Sequence, residues 1–522
     1  MNTYGYVIGI DGGTESIRVG IFDLSGNPIL FISEKYNTFF NKPGWAVQDP
    51  EEWEISLKKA IKNALNLSGL DSKLILGISM TATIGTIAFL NIDHKNIEKA
   101  ILWMDVRATK QFSKLKAINH PALKLNPTAE WPIPKIMWVK ENMPDVYKST
   151  SVILEYTSWL LFKMTGKIIG CLSNAVSRWF YNVEQGGYPF DLYETLGLGD
   201  LKEKLPGKTE IVGEVAGYLD SKFAQETGLP AGIPVAAGCP DGISAMIGLN
   251  AIKPGKPLMI CGTSHVHLIA SYKEIHTKGI IGSYSDAILK GIHLLEGGQV
   301  TTGAVLKWYK DNFLHKYYDI AKQNSLSIYE YLDTLASEIS IGSNGLIILE
   351  YFQGNRTPYQ DPYARGVVWG LSLQHTPVHI YRAILEGVAF GTRNILETIK
   401  NEGLLIEKII ACGGMTNSKL WLKIHADVCN IPIALTEVQE ASVLGAAIVA
   451  AKAAGVYRTL EEAAENMVRE RTVIYPNPKE NRKYNFYYDL YKRTYPNLKS
   501  LMKKMALNDI QNQHNLTYEE IK

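Results

Sequence analysis

Two short stretches do most to restrict how this chain can fold: Ile10-Asp11-Gly12-Gly13-Thr14 and Ile260-Cys261-Gly262-Thr263. Each ends an apolar run rich in β-branched residues, and each is followed by another strand-like run, at 17–23 in the first case and 265–270 in the second. That pattern predicts a β-hairpin with a Gly-Thr turn. Glycine lets backbone N–H groups approach a ligand closely, and threonine adds a hydroxyl donor. The same design in two distant parts of the chain predicts a duplicated α/β unit with a cleft between the copies.

The rest of the chain permits such a fold. Its 522 residues are 46% hydrophobic and 20% charged, ordinary values for a globular protein with large cores. At about 150 residues per domain the length suggests two to four domains. Lys+Arg 54 against Asp+Glu 52 leaves a formal charge of +2, so neither nucleic acid nor an anionic membrane is an expected partner. The five cysteines are scattered and form no C-x-x-C, which points to a reducing, cytoplasmic setting. No apolar run approaches the roughly 18 residues of a membrane span. The first apolar run lacks a basic lead-in and breaks at Asp11-Gly12-Gly13, so no signal peptide is expected.

Along the chain, runs at 6–10, 17–23 and 29–32 predict three consecutive antiparallel strands. Asp49-Pro50 opens a helix with an apolar stripe through Trp53, Leu57, Ile61, Ala64 and Leu65. Residues 74–80 read as a buried strand, and 105–233 mix helices, such as 136–142 and 156–164, with Pro- and Gly-rich loops. The opening pattern returns as strand, loop and helix over 233–249. Further helices are expected at 378–400, 420–429 and 441–454, with a strand at 409–411, and 508–522 are expected to be a loosely held tail.

Several groups could carry chemistry. Asp11, at a strand end beside glycine amides and Thr14, could hold Mg²⁺ through water while the amides take phosphate oxygens; the same residues also make an ordinary Asp-Gly turn. Gly262-Thr263-Ser264 is either an opposing phosphate clamp or a plain turn. Cys412-Gly413-Gly414-Met415-Thr416-Asn417 is either an adenosine-bearing loop at a helix start or a flexible connection. Asp241, between an apolar strand and an apolar helix start, could accept the proton of an attacking hydroxyl or simply cap the helix. His265-Val266-His267 and the pair His425 and Cys429 read as packing residues. Trp103, Trp131, Trp138 and Trp179 read as core, with a sugar pocket as the alternative. Neither G-x-x-x-x-G-K-[ST] nor G-x-G-x-x-G occurs, which argues against P-loop and dinucleotide-binding Rossmann domains.

In order and spacing, these pieces resemble the FGGY family of carbohydrate kinases, within the actin-like ATPase superfamily. The matching segments are Ile8-Gly9-Ile10-Asp11-Gly12-Gly13-Thr14-Glu15-Ser16-Ile17-Arg18, Gly44-Trp45-Ala46-Val47-Gln48-Asp49-Pro50, Trp103-Met104-Asp105-Val106-Arg107, Gly238-Cys239-Pro240-Asp241-Gly242, Cys261-Gly262-Thr263, Gly303-Ala304-Val305-Leu306-Lys307-Trp308 and Gly413-Gly414. The resemblance implies an α/β fold of two actin-like (ribonuclease H-like) ATPase domains with an interdomain cleft. It implies 1–250 for the sugar-binding domain with the first phosphate hairpin, 251–470 for the ATP-binding domain and 471–522 for a C-terminal extension.

The resemblance also implies ATP and Mg²⁺ as cofactors, a small sugar as substrate, and allows a homodimer. By position, Asp11 would organise Mg²⁺, and Thr14, Glu15, Ser16 and Arg18 would border the phosphates. Gly262, Thr263 and Gly303 would hold ATP from the second domain, with Gly414 and Asn417 at the adenosine. Asp241 would be the general base. Thr81, Ala82, Thr83, Arg178 and Glu296 would line the substrate. Ala82-Thr83 replaces the Arg-Glu pair of glycerol kinases, while Leu295-Glu296-Gly297-Gly298-Gln299, Arg178-Trp179 and Gly354-Asn355-Arg356-Thr357-Pro358 resemble ribulokinase-like pentulose kinases. The expected substrate is a ketopentose such as ribulose or xylulose. The alternatives are a tetrose or another polyol (erythritol, erythrulose, glycerol), or an actin- or Hsp70-like ATPase.

Overall fold

A computed structural model describes residues 4–125 and 127–519. Its first sheet has seven strands and is built around Tyr6–Gly12, buried along its whole length. That strand turns back into Ser16–Asp23 with Asp11 opposite Arg18 and Gly12 opposite Ile17, and the chain returns once more as Pro28–Lys35. On its other side it pairs in parallel with Ile75–Ala82, placing Asp11 beside Thr81 and Gly12 beside Ala82. Cys239–Pro240 lies parallel to the far edge of the same strand, with Cys239 beside Thr81. Three strand ends thus deliver Asp11, Thr83 and Asp241 to one edge of the sheet.

The second sheet repeats the plan. Leu258–Cys261 turns back into His265–Ser271 and pairs in parallel with Ile409–Gly413. His293–Gln299 and Ile281–Ser285 extend it on one side, Ile433–Thr436 and Glu470–Ile474 on the other. A four-stranded sheet of Val47–Gln48, Ala100–Ile101, Ile87–Leu90 and Val152–Glu155 is added to the first half. It has no clear signal in sequence because its strands are two to four residues long.

Helix boundaries follow local chemistry. Pro50–Ser68 begins where the Asp49 carboxylate accepts the Glu51 N–H and stops at Gly69, which takes a left-handed φ of 64°. Its buried face is Trp53, Leu57, Ala60, Ile61, Ala64 and Leu65. No described helix is long and apolar enough to cross a membrane.

The two halves meet where Ala441–Ala453 crosses Asp241–Gly248 and lies on the first sheet. The approach is set by glycine. A Cβ on Gly445 would lie 1.8 Å from the Ser244 carbonyl oxygen, and one on Gly248 2.0 Å from that of Ala441. On the sheet side, a Cβ on Gly9 would lie 2.1 Å from the Val443 carbonyl oxygen. The Ser244 hydroxyl donates to the Ser442 carbonyl at 2.7 Å across the same crossing. These obstacles are backbone, so no side-chain rotation can make room.

The C-terminal stretch differs from expectation. Pro478–Glu519 is one long helix, so the tail expected at 508–522 is helical through Glu519, and 520–522 lie outside the described residues. Tyr484, Tyr488, Tyr491 and Tyr495 are all buried against the second half. Their i, i+4, i+7, i+11 spacing is a helical stripe, hidden in sequence by the polar residues between them. Each hydroxyl donates to a carboxylate: Glu386, Glu397, Glu350 and Asp361 respectively.

Gly445→Ala is expected to destabilise the protein by at least about 2 kcal/mol, because an added methyl meets backbone in a filled crossing. Urea unfolding of the variant beside an exposed glycine control with room for a methyl, Gly207→Ala, measures this; equal effects would contradict it.

Candidate active site

Asp11 ends its strand 4% exposed, and the Arg18 guanidinium reaches its Oδ2 at 3.3 Å from a half-exposed position. Burial first, then the nearby Asp241 carboxylate, push the Asp11 carboxyl up to about 7, while Arg18 acts the other way. The adjoining turn is held from below. Tyr36 donates to the Gly13 carbonyl, and Thr38 and Gln48 donate to that of Thr14. The Trp103 indole N–H reaches the Thr14 hydroxyl at 3.1 Å. Glu15 and Arg18 remain exposed and Ser16 partly so, leaving the rim of the turn open.

Asp241 is the first residue of Asp241–Gly248, where the helix dipole favours a carboxylate. Its Oδ1 accepts the Gly242 N–H at 2.7 Å. Pro240 is the residue that precedes the helix and no side chain caps its start, so the expected alternative of Asp241 as a helix cap is not what the structure shows. Burial raises its pKa above the usual carboxylate range; the Gly242 N–H and Arg178 oppose this and Glu296 reinforces it. The charge of Asp241 thus acts on Asp11, and those of Arg178 and Glu296 act on Asp241.

Arg178, at the end of Leu172–Arg178, donates to Glu296 at 3.2 Å and to the Tyr284 hydroxyl at 2.8 Å. Its guanidinium also lies over the Trp131 ring, 5.2 Å from the centroid. Charge pairing with Tyr284 and Glu296 outweighs burial and raises the Arg178 pKa, so it stays a cation. Arg178 comes from the first half and Glu296 and Tyr284 from the second, so this cluster exists only when the halves are together.

Thr81, Ala82 and Thr83, expected at the substrate, present buried side chains. The Thr81 hydroxyl donates to the Cys239 carbonyl at 2.7 Å, Ala82 has no exposed surface, and the Thr83 hydroxyl is shared with Thr86 at 2.9 Å. Strand pairing explains this: Thr81 and Ala82 are flanked by Asp11-Gly12 on one side and Cys239-Pro240 on the other.

The second half supplies an open cradle. Gly262 and Thr263 are exposed at the second hairpin turn. The Thr263 carbonyl accepts N–H groups from Thr302 and Ala304, each at 3.1 Å, docking the start of Gly303–Phe313 onto that turn. A Cβ on Gly303 would lie 2.5 Å from the Gly262 carbonyl oxygen, so only glycine allows the docking. Gly413, alongside Cys261, has φ 93° and leads into Gly414–Asn417, where Gly414 and Asn417 are exposed. The predicted groups Gly262, Thr263, Gly303, Gly414 and Asn417 therefore border one end of the second sheet.

The residues present fit a nucleotide with a divalent cation. Glycine backbone lines the cradle, and the buried Asp11 carboxylate, beside a second carboxylate and reached by one half-exposed arginine, suits a hard cation. Among the described residues no group of three or more His, Cys, Asp or Glu side chains could hold a metal by itself. His265, His267 and His425 are buried together, with the His265 ring centroid 6.4 Å from that of His267 and 5.9 Å from that of His425.

Groups without a clear signal in sequence complete the surroundings. Glu155 is buried and accepts N–H groups from Gly85, Asn174 and Trp179. Lys135, fully buried, donates to the carbonyls of Gly85, Leu102 and Trp103. Their partners lie too far away in the chain for any local pattern to reveal them.

Two duplicated α/β halves, each presenting a Gly-Thr hairpin, with a carboxylate and a mixed polar cluster between them, define a two-domain actin-like ATPase fold. Models of the FGGY family of carbohydrate kinases match the chain over both parts, the N-terminal domain at residues 6–248 and the C-terminal domain at 258–454. A ribulokinase of Geobacillus thermodenitrificans is 32% identical over 510 residues, covering 90% of each chain. A xylulose kinase of Staphylococcus epidermidis is 29% identical over 496 residues, covering 95% of this chain and 97% of its own. The crystal structure of xylulose kinase from Rhodospirillum rubrum superposes with a TM-score of 0.85 at 24% identity, over 95% of this chain and 99% of the other. The chain belongs to the FGGY family of carbohydrate kinases.

On the strand that carries Glu296, Gln299 donates to the buried Glu350 carboxylate at 3.0 Å, and Tyr491 donates to it from the C-terminal helix. Burial pushes Glu350 up to about 7, against the Gln299 and Tyr491 hydrogen bonds. A carboxyl raised in the folded state is fully tolerated below its unfolded pKa of about 4.3, and stability falls as pH rises from there through about 7. Glu350→Gln, which cannot ionise, is expected to exceed the wild type by about 3–4 kcal/mol at pH 8. The difference should shrink toward pH 5 in denaturant titrations; a gap independent of pH would contradict the assignment.

Proposed function

We propose that this kinase transfers the γ-phosphoryl group of ATP to a primary hydroxyl of a ketopentose such as ribulose or xylulose, with Asp241 as the general base. The observation that carries the reading is the surroundings of Asp241: it opens Asp241–Gly248 beside the strand end at Cys239–Pro240, its charge acts on Asp11 at the first hairpin, and the charges of Arg178 and Glu296 act on it. Arg178 donates to sugar oxygens and Glu296 accepts from sugar hydroxyls, so both ends of a polyhydroxy ketone are recognised. Asp241 takes the proton of the attacking hydroxyl as the new O–P bond forms and the bond to ADP breaks. Its raised pKa strengthens it as a base.

The amides of the two Gly-Thr turns, with Gly303, receive phosphate oxygens, Gly414 and Asn417 border the adenosine, and Thr14, Glu15, Ser16 and Arg18 line the phosphate path. Asp11 would hold Mg²⁺, which neutralises charge on the transferring phosphate. The division into 1–250, 251–470 and a C-terminal extension at 471–522 is part of this proposal. It is supported by the first sheet closing at Pro240 and the second opening at Leu258. Among pentulose, tetrose and polyol acceptors, the Glu296–Arg178 pair favours a ketose.

Asp241→Asn is expected to retain ATP binding and lose sugar-dependent ADP release by about 10²–10⁴-fold or more. Calorimetry with ATP and a coupled ADP assay measure the two separately, and near-normal turnover would refute the base. A screen of ribulose, xylulose, erythrulose, ribitol, erythritol and glycerol is expected to give the highest kcat/KM with a ketopentose.

A further inference from the structure

Arg178 stands where the backbone is under unusual constraint. Two residues later Phe180 adopts φ 57°, a left-handed conformation that costs a bulky residue about 1–3 kcal/mol and persists only where neighbours enforce it. The enforcing groups converge on one side chain. Glu155, 4% exposed at the end of Val152–Glu155, accepts the side-chain amide of Asn174 on one oxygen and the indole N–H of Trp179 on the other. Asn174 lies one helical turn before Arg178, and Trp179 follows it directly. A single carboxylate therefore grips the chain on both sides of Arg178.

The same carboxylate is tied to the rest of the cleft. It also accepts the Gly85 N–H at 3.0 Å, in the loop that leaves Ile75–Ala82. The Gly85 carbonyl accepts from buried Lys135 at 3.0 Å, and Lys135 donates in turn to the carbonyls of Leu102 at 2.6 Å and Trp103 at 3.4 Å. Tyr193 donates to the Trp179 carbonyl and fixes the far side of the turn. Buried hydrogen-bond networks of this kind hold functional groups in one geometry, and here only the Asn174 Oδ1 is left without a partner.

We propose that Glu155 is a positioning residue for sugar binding. Through Asn174 and Trp179 it sets the Arg178 guanidinium at the distance from Glu296 and Tyr284 that the sugar requires. The proposal rests on the reading that the sugar lies at Arg178, Glu296 and Asp241. It predicts a selective defect, because the nucleotide cradle at Gly262, Thr263, Gly303 and Gly414 shares none of these bonds.

The test compares full-length wild type, Glu155→Gln, Trp179→Phe and the double variant in steady-state kinetics and thermal unfolding. Glu155→Gln keeps shape and can still accept the Gly85 N–H, but sets an amide donor against the indole donor. It is expected to raise KM for sugar about tenfold, with KM for ATP within about twofold and a single unfolding transition that stays above the assay temperature. Trp179→Phe should reproduce the defect, and the double variant should be no worse than the more impaired single, since both remove one interaction. Unchanged sugar KM in folded Glu155→Gln, a parallel rise in both KM values, or additive defects would overturn the proposal. The comparison uses whichever sugar or polyol the wild type phosphorylates best. Failure of ketopentoses as substrates therefore overturns the substrate reading alone, and failure of the selective defect overturns the role of Glu155 alone.

Discussion

The architecture depends on one close contact, the crossing of Asp241–Gly248 with Ala441–Ala453 at Gly248 and Gly445. With carbonyl oxygens about where a Cβ would sit, the two helices touch backbone to backbone. Interiors packed to crystal-like density transmit such a constraint rather than absorbing it. Asp241 is the first residue of one of these helices, so the contact that joins the halves also sets where its carboxylate stands. The Arg178–Glu296 pair, with one member from each half, depends on the same joint.

Around that joint the protein concentrates charge away from bulk water: Asp11, Glu155 and Lys135 are buried, and Asp241 and Arg178 are half-buried. Isolated ions in a low-dielectric interior are strongly disfavoured, and each of these is compensated differently. Arg178 is ion-paired and stacked over an aromatic ring. Lys135 is surrounded by carbonyls yet held down to about 7, and Glu155 accepts three N–H groups. Asp11 is the least compensated, reached by one arginine and raised by its neighbour, which is the electrostatic condition that a bound cation relieves. The order of compensation separates groups that hold geometry from groups available to a ligand.

The C-terminal helix performs a similar service on the outer side of the second half. Four tyrosines bury their rings and meet four carboxylates, and one of these, Glu350, also holds Gln299 on the strand that carries Glu296. The Arg178–Glu296 pair is thus braced from two directions, by Glu155 behind Arg178 and by the tyrosine-bearing helix behind Glu296.

Much of this was written locally. Glycine-threonine turns after apolar runs, the Asp49-Pro50 helix start and the Trp53–Leu65 stripe are short-range patterns, because turn conformation, capping and amphipathic spacing act between residues a few positions apart. They yielded both hairpins, the α/β class and the candidates Asp11, Asp241, Thr263 and Gly414. The face on which a residue is used was not legible: Thr81 and Ala82 belong to the ladder because strands from positions 11 and 239 flank them. Nor was the pairing of Arg178 with Glu296, or of Glu155 with Trp179, since bonds between distant segments depend on how whole sheets and helices dock. The amino-acid order decided the elements and most of the reactive groups; packing at glycine contacts decided which of those groups face one another.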